Sequence, residues 1–203
     1  MIWNTAFRTI VDRRPASAAA EAAAIGQRVV LSEEDPADTR GKRYVGSVIW
    51  RTETGSPTAG QSSDLAVKAD LEIPERRVNV KMSLHRNTDK KLPASHTIEI
   101  IFNLPADSPF GGIANVAGIK MKQAEQARAA PLAGLATQVI SGFFIVGLSA
   151  IESDMQRNLE MLKAWSWFDI PVVYNNGRRA NLEIEKGTFG ERSFAEAFTA
   201  WGQ

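Results

Sequence analysis

Apolar and polar residues alternate strictly in the middle of the chain. Leu65, Val67, Ala69, Leu71 and Ile73 are interleaved with Ala66, Lys68, Asp70 and Glu72. Val78, Val80, Met82 and Leu84 are interleaved with Asn79, Lys81, Ser83 and His85, and Ile98, Ile100, Phe102 and Leu104 continue the pattern. A period of two sends successive side chains to opposite faces of a strand, so each run reads as a strand with one dry and one wet face. The links between the runs, Pro74–Arg77 and Asn87–Pro93, are short and polar. Parallel neighbours need crossovers of about a dozen residues, so the pattern predicts an antiparallel meander.

The most apolar run, Val139–Ile151, reads as a buried central strand that feeds a helix. Ser141-Gly142 breaks it, which predicts a hairpin between Leu132–Ile140 and Phe143–Leu148. Ser149 and Glu152 have the spacing of a capping box, and Ile151, Met155, Leu159 and Leu162 follow on one helical face that ends near Trp165. Asn175-Asn176-Gly177 predicts a second hairpin between Ile170–Tyr174 and Arg179–Glu185, with Ala180, Leu182 and Ile184 facing inward. Ser193 and Glu196 repeat the capping-box spacing ahead of the stripe Phe194, Ala197, Phe198 and Trp201, which needs a groove on the sheet. Arg28–Ser32 is a short apolar run, and Tyr44–Arg51 and Gly118–Lys122 add strands. The expected fold is mainly β, at the margin of α+β: an antiparallel β-sandwich or flattened barrel with two short helices in the C-terminal third.

Ahead of this lies a different composition. Trp3, Phe7, Ile10 and Val11 have helical spacing over residues 1–14. They predict an amphipathic segment that packs on the body, on a copy of itself, or beside a membrane. Residues 15–26 are Ala-rich and read as a linker, so residues 27–203 are expected to form a single β-rich domain. No stretch reaches the roughly 20 apolar residues that span a bilayer, so a membrane anchor is expected only upstream of Met1.

Charge and composition narrow the chemistry. Twenty-four basic residues balance 23 acidic ones, which argues against a nucleic-acid binder with its concentrated basic face. The absence of cysteine removes disulfides, thiolate metal sites and cysteine nucleophiles. Glu33–Asp38 is acidic but lacks the alternating ligands and central glycine of a calcium loop, so it reads as a solvated loop. The two histidines flank one turn. If Leu84 lies opposite Ile98, His85 points to the wet face and His96 has the opposite parity, which is poor for joint metal or acid–base work. No G-x-S-x-G elbow marks a serine nucleophile, and Gly111-Gly112 lacks the Lys-Ser/Thr of a phosphate loop. No catalytic, cofactor or metal-binding residue is therefore assigned. The candidate contact residues are the aromatic ones Trp50, Phe110, Trp165 and Trp167, adjacent tryptophans being a possible ligand platform. Arg76, Arg77, Arg86, Lys90 and Lys91 in the meander turns are candidates for an acidic partner or lipid headgroups.

The C-terminal third carries a resemblance. The strand GFFIVGLS, the helix AIESDMQRNLEMLKAW, the hairpin FDIPVVYNNGRRANLEIEKG and the closing helix SFAEAFTAW follow one another in an order similar to the invasion-associated locus B family. The domain as a whole also resembles an uncharacterised alphaproteobacterial group with a membrane anchor ahead of an Ala/Pro-rich linker. The resemblance implies the periplasm or the periplasmic face of the inner membrane, and a non-enzymatic role. The leading expectation is an envelope-associated domain that binds a protein or another envelope component, without cofactor. The alternatives are a small hydrolase with a carboxylate-lined cleft, or a homo-oligomeric structural subunit joined through residues 1–14.

Overall fold

The computed structural model describes residues 27–54 and 64–203. The amphipathic start, the Ala-rich linker and most of the expected loop from Thr54 to Ser63 lie outside the described residues. Within them the chain forms β1 (Gln27–Asp35), β2 (Asp38–Thr54), β3 (Leu65–Ile73), a 3-10 turn at Pro74–Arg76, β4 (Val78–Arg86) and β5 (Ala94–Asn103). Next come the short strands β6 (Ile113–Val116), β7 (Lys120–Lys122) and β8 (Ala130–Pro131), then β9 (Gly134–Ile140) and β10 (Phe143–Ser149). Helix α1 (Glu152–Ala164), strands β11 (Trp167–Tyr174) and β12 (Arg179–Glu185), and helix α2 (Gly187–Ala200) complete the domain.

All strands join one antiparallel sheet in the order β8-β7-β11-β12-β1-β2-β3-β4-β5-β10-β9, with β6 beside β7 on β11. The sheet curls into a half-barrel. One segment ties its two ends: the Leu132 amide donates to the Ile119 carbonyl at 2.9 Å, and the next carbonyl, Ala133, accepts from the Ser149 amide at 2.8 Å. The meander β3-β4-β5 has the expected register, with Leu84 opposite Val67 on one side and Ile98 on the other.

Curling turns the alternating apolar positions into one continuous interior. Val67, Leu71, Val80, Leu84, Ile100, Phe144, Ile170 and Leu182 belong to a single buried cluster. A void of about 10 Å³ beside Phe102 and Tyr174 is at the lower limit for holding one water. Around this void the interior is packed with apolar side chains.

The helices close one end of the half-barrel. Phe194, Ala197, Phe198 and Trp201 of α2 are buried, as the stripe requires. Trp50 stacks on Phe168 at 5.9 Å and meets Phe194 edge-on at 5.5 Å. Gly190 permits this approach, because a Cβ there would sit 3.2 Å from the Trp50 ring. The buried indole N–H groups find acceptors: Trp50 donates to the Glu185 carbonyl and Trp201 to the Leu65 carbonyl, each at 2.9 Å. Lys186 is fully buried where α2 begins, and its Nζ donates to the carbonyls of Leu162 at 2.8 Å and Trp165 at 2.9 Å. It satisfies acceptors that the end of α1 leaves unpaired. Burial pushes its pKa down to about 8.

Three expectations need correction. The strand within Val139–Ile151, β10, is second from the end of the sheet and not central, and its outward residues are only half-buried. Ser149 belongs to β10 and α1 starts at Glu152, so neither residue forms a capping box, and Ile151 is 67% exposed. The rest of the expected face holds: Leu162 is buried, Leu159 packs against the core and Met155 is half-buried, and Asn158 and Met161 join them. Ser193 likewise lies inside α2, where its hydroxyl donates to the Phe189 carbonyl at 3.0 Å. Both spacings mark residues that use their hydroxyls locally, which is a different way to satisfy the same chemistry.

Replacing Lys186 by Met should strand two interior carbonyls and lower unfolding stability by about 2–3 kcal/mol in urea titrations. A pH effect is also expected. His96 is buried, and burial holds its pKa below the ordinary 6.5. The unfolded chain therefore takes up a proton that the folded chain resists, so stability should fall as pH drops below about 6.5. Comparison of urea midpoints near neutrality and at about pH 5 should show a smaller drop for His96→Gln than for the natural chain.

Candidate functional site

The four aromatic candidates are dispersed. Trp50 and Trp167 are each 6% exposed. Trp50 is part of the helix-end packing, and Trp167 lies under the Arg28 guanidinium, 5.3 Å from its ring centre. Trp165 is half-buried against the core beside the end of α1. Phe110 lies at the opposite end, between the guanidinium groups of Arg76 at 5.0 Å and Arg178 at 4.3 Å. No two of the four rings stack on each other among the described residues.

The basic candidates are largely engaged. Arg77 pairs with Asp107 at 2.7 Å, and Arg86 with Asp64 at 2.9 Å. Arg76 is the most consequential. It reaches Glu33, which is 3% exposed and belongs to β1, not to a solvated acidic loop. Glu33 continues the inward parity of Val29 and Leu31, which is why it is buried. Its Oε1 accepts from Arg76 at 3.1 Å and from the Tyr174 hydroxyl at 2.6 Å. Burial and this carboxylate push the Tyr174 phenol well above its usual range. The Arg76 guanidinium also lies over the Tyr44 ring at 5.2 Å. The cluster seals the end of the core away from the helices, and its polar atoms are occupied by one another.

A cluster that motif reading passed over lies on the outer face of the meander. Register places Ser83 opposite Glu99, and His85 is two residues from Ser83 on the same face. The Ser83 hydroxyl lies 3.1 Å from His85 Nε2 and 3.2 Å from Glu99 Oε2. A nucleophile, a base and an acid are present, yet the order of contacts is wrong for hydrolysis. The acid approaches the serine and the same histidine nitrogen, at 3.9 Å, instead of orienting the other ring nitrogen. Ser83 is central in the sheet, so its neighbouring amides are committed to the ladders with β3 and β5, leaving no pair of donors for an oxyanion.

The largest departure from ordinary surface chemistry is β9. The chain carries no charged side chain from Ala129 to Ile151. Within β9, Leu135, Val139 and Ile140 are 74%, 50% and 66% exposed. The strand pairs only with β10 on one side and ends the sheet path. Its other edge presents backbone amides and carbonyls with no strand partner among the described residues. Outward-facing Ile145 is opposite Thr137, and Phe143 lies between Ile140 and Ile101. Gly142 (φ +75°) makes the tight turn, and a Cβ there would lie 2.8 Å from the Phe102 carbonyl oxygen. Edge strands are normally protected by charges, prolines or bulges that twist them away. The one irregularity here lies at the turn end, between Phe143 and Phe144, and β6 comes near the other edge without pairing with it.

Substituting Arg76 by Met should leave Glu33 buried without its cation and lower stability by about 3–5 kcal/mol in denaturant titrations, and adding Glu33→Gln should recover part of the loss. Comparison with known proteins returned no matching family model, no matching curated protein and no matching solved structure.

Proposed function

We propose that the protein is a non-enzymatic interaction domain of the bacterial cell envelope that works by strand addition at β9. The observation that carries this reading is the uncharged, exposed edge of β9 with the apolar outer face beside it. An extended segment docking there gains main-chain hydrogen bonds from the free edge and apolar contacts from alternate side chains. The buried ionisable groups Glu33, Lys186 and His96 are held by structural partners, which supports a non-catalytic role. The envelope location is supported by the amphipathic pattern and Ala-rich linker of residues 1–26 and by the C-terminal resemblance.

The occupant we infer is β9 of a second copy. An uncharged edge selects an uncharged strand, and β9 is itself such a strand. Antiparallel pairing about a two-fold axis through Thr137 sets Leu135 of one copy opposite Val139 of the other, with no like charges brought together. This contact is independent of residues 1–14.

Light scattering or sedimentation of the full chain at tens of micromolar should give twice the chain mass. Leu135→Lys combined with Val139→Lys should give the single-chain mass, with unfolding stability within about 0.5 kcal/mol per site because both positions are exposed. A natural chain that stays monomeric, or a doubly substituted chain that stays dimeric, would reject the β9 contact. Recovery of the native protein wholly with the cytosol would reject the envelope location.

A further inference from the structure

The unpaired edge of β9 has β6 standing in front of it. Cα atoms of the two strands come within 8 Å of each other, yet no ladder joins them. The seam is tied beyond one end, where the Leu132 amide donates to the Ile119 carbonyl at 2.9 Å. At the other end a Cβ on Gly112 would lie 4.0 Å from the Ser141 Oγ. Residues after β6 thus meet residues before β9, and residues before β6 meet residues after β9, so the two strands run antiparallel. The pairings from β9 round the sheet to β6 are all antiparallel and odd in number, which gives the same direction.

β6 therefore has the place and the direction of an added strand. A strand inserted between β6 and β9 would hold them about 10 Å apart, twice the spacing of paired strands. The observed approach is too close for that, so β6 has to move before a second chain can pair. Its attachments are few. It is four residues long and uncharged, and its ladder with β11 has a register shift between Val173 and Tyr174. Gly111 (φ +73°) and Gly118 (φ +125°) flank it in conformations that other residues rarely adopt, and a Cβ at Gly118 would meet nothing within 4 Å. What holds it down is mainly apolar: Ile113 and Val116 are 3% and 2% exposed. The Asn175 amide donates to the Gly112 carbonyl at 2.9 Å, and the Ala117 amide to the Pro171 carbonyl at 3.2 Å.

We propose that β6 is a gate on the dimerisation edge: it bars β9 in the single chain and swings out on its flanking glycines when β9 of a second copy takes its place. The proposal rests on the β9 contact argued above and adds its regulation. A gate that is mostly closed weakens the apparent affinity by the fraction of chains that are open. Dimerisation is then set by how firmly Ile113 and Val116 sit in the core. The gate also accounts for an uncharged edge that lacks the usual protections against indiscriminate pairing.

The chain has no cysteine, so an engineered pair has no competitor. Gly112→Cys with Ser141→Cys bridges the seam at its untied end and leaves Leu135, Thr137 and Val139 in place. Oxidised in dilute solution, this variant is expected to keep the single-chain mass at concentrations where the natural chain is dimeric, and reduction should restore the dimer. Ile113→Ala in the natural chain should loosen the gate and lower the dimer dissociation constant by about threefold or more in sedimentation. A purely structural role for Ile113 would leave that constant unchanged or raise it. The gate would be overturned, with the β9 contact intact, by an oxidised variant that dimerises like the reduced one, by thiols that do not join, or by a constant that Ile113→Ala does not lower. A natural chain that stays monomeric would instead reject the β9 contact, and the gate with it. If the double variant does not fold, Ile113→Ala decides alone.

Discussion

Water is kept from the apolar positions of this sheet because the sheet bends around them. A flat antiparallel sheet of this length would need a second layer over its dry face. Here Val67, Leu71, Val80, Ile100, Ile170 and Leu182 face one another across the curve and supply that layer themselves. Curling leaves two open ends, and the chain closes each in a different way. Aromatic rings from α2 pack over one end, with Lys186 and the indole N–H groups satisfying the buried carbonyls there. At the other end a carboxylate, a guanidinium and a phenol satisfy one another between aromatic rings.

Because the core is internal, the outer face is free to carry chemistry, and it does so unevenly. Over β1–β5 it bears charged pairs such as Arg51 with Asp70 and Arg43 with Glu125. Over β9 and β10 charge disappears altogether. The end of the sheet is therefore the place where solubility has been given up, and natural sheets seldom leave such an edge uncovered.

Much of the fold was legible in the residues. Alternation gave β3, β4 and β5 with their antiparallel order, and the register that sets His85 and His96 on opposite faces is the observed one. The Asn-Gly turn and the apolar stripe of α2 were equally readable. Strand order was not, since alternation fixes which face is dry but says nothing of which strand lies beside β1 or β12. The run around β10 looked central because burial and an apolar exposed edge write the same composition. The helix starts were misplaced because serine hydroxyls at Ser149 and Ser193 serve local backbone groups, and spacing alone does not separate those uses from a cap. The Ser83–His85–Glu99 cluster follows from the same register and was hidden only because no local motif carries it.

Amide hydrogen exchange across β9 at rising protein concentration tests most directly whether the curled sheet ends in an edge that a second chain completes. In dilute solution, alternate amides of residues 134–140, those turned toward β10, are expected to be protected while the outward ones exchange freely. The outward amides should become protected as concentration rises, with no change in β3–β5. Full protection of β9 at the lowest concentration, or an outward edge that stays unprotected at the highest, would contradict this description of the molecule.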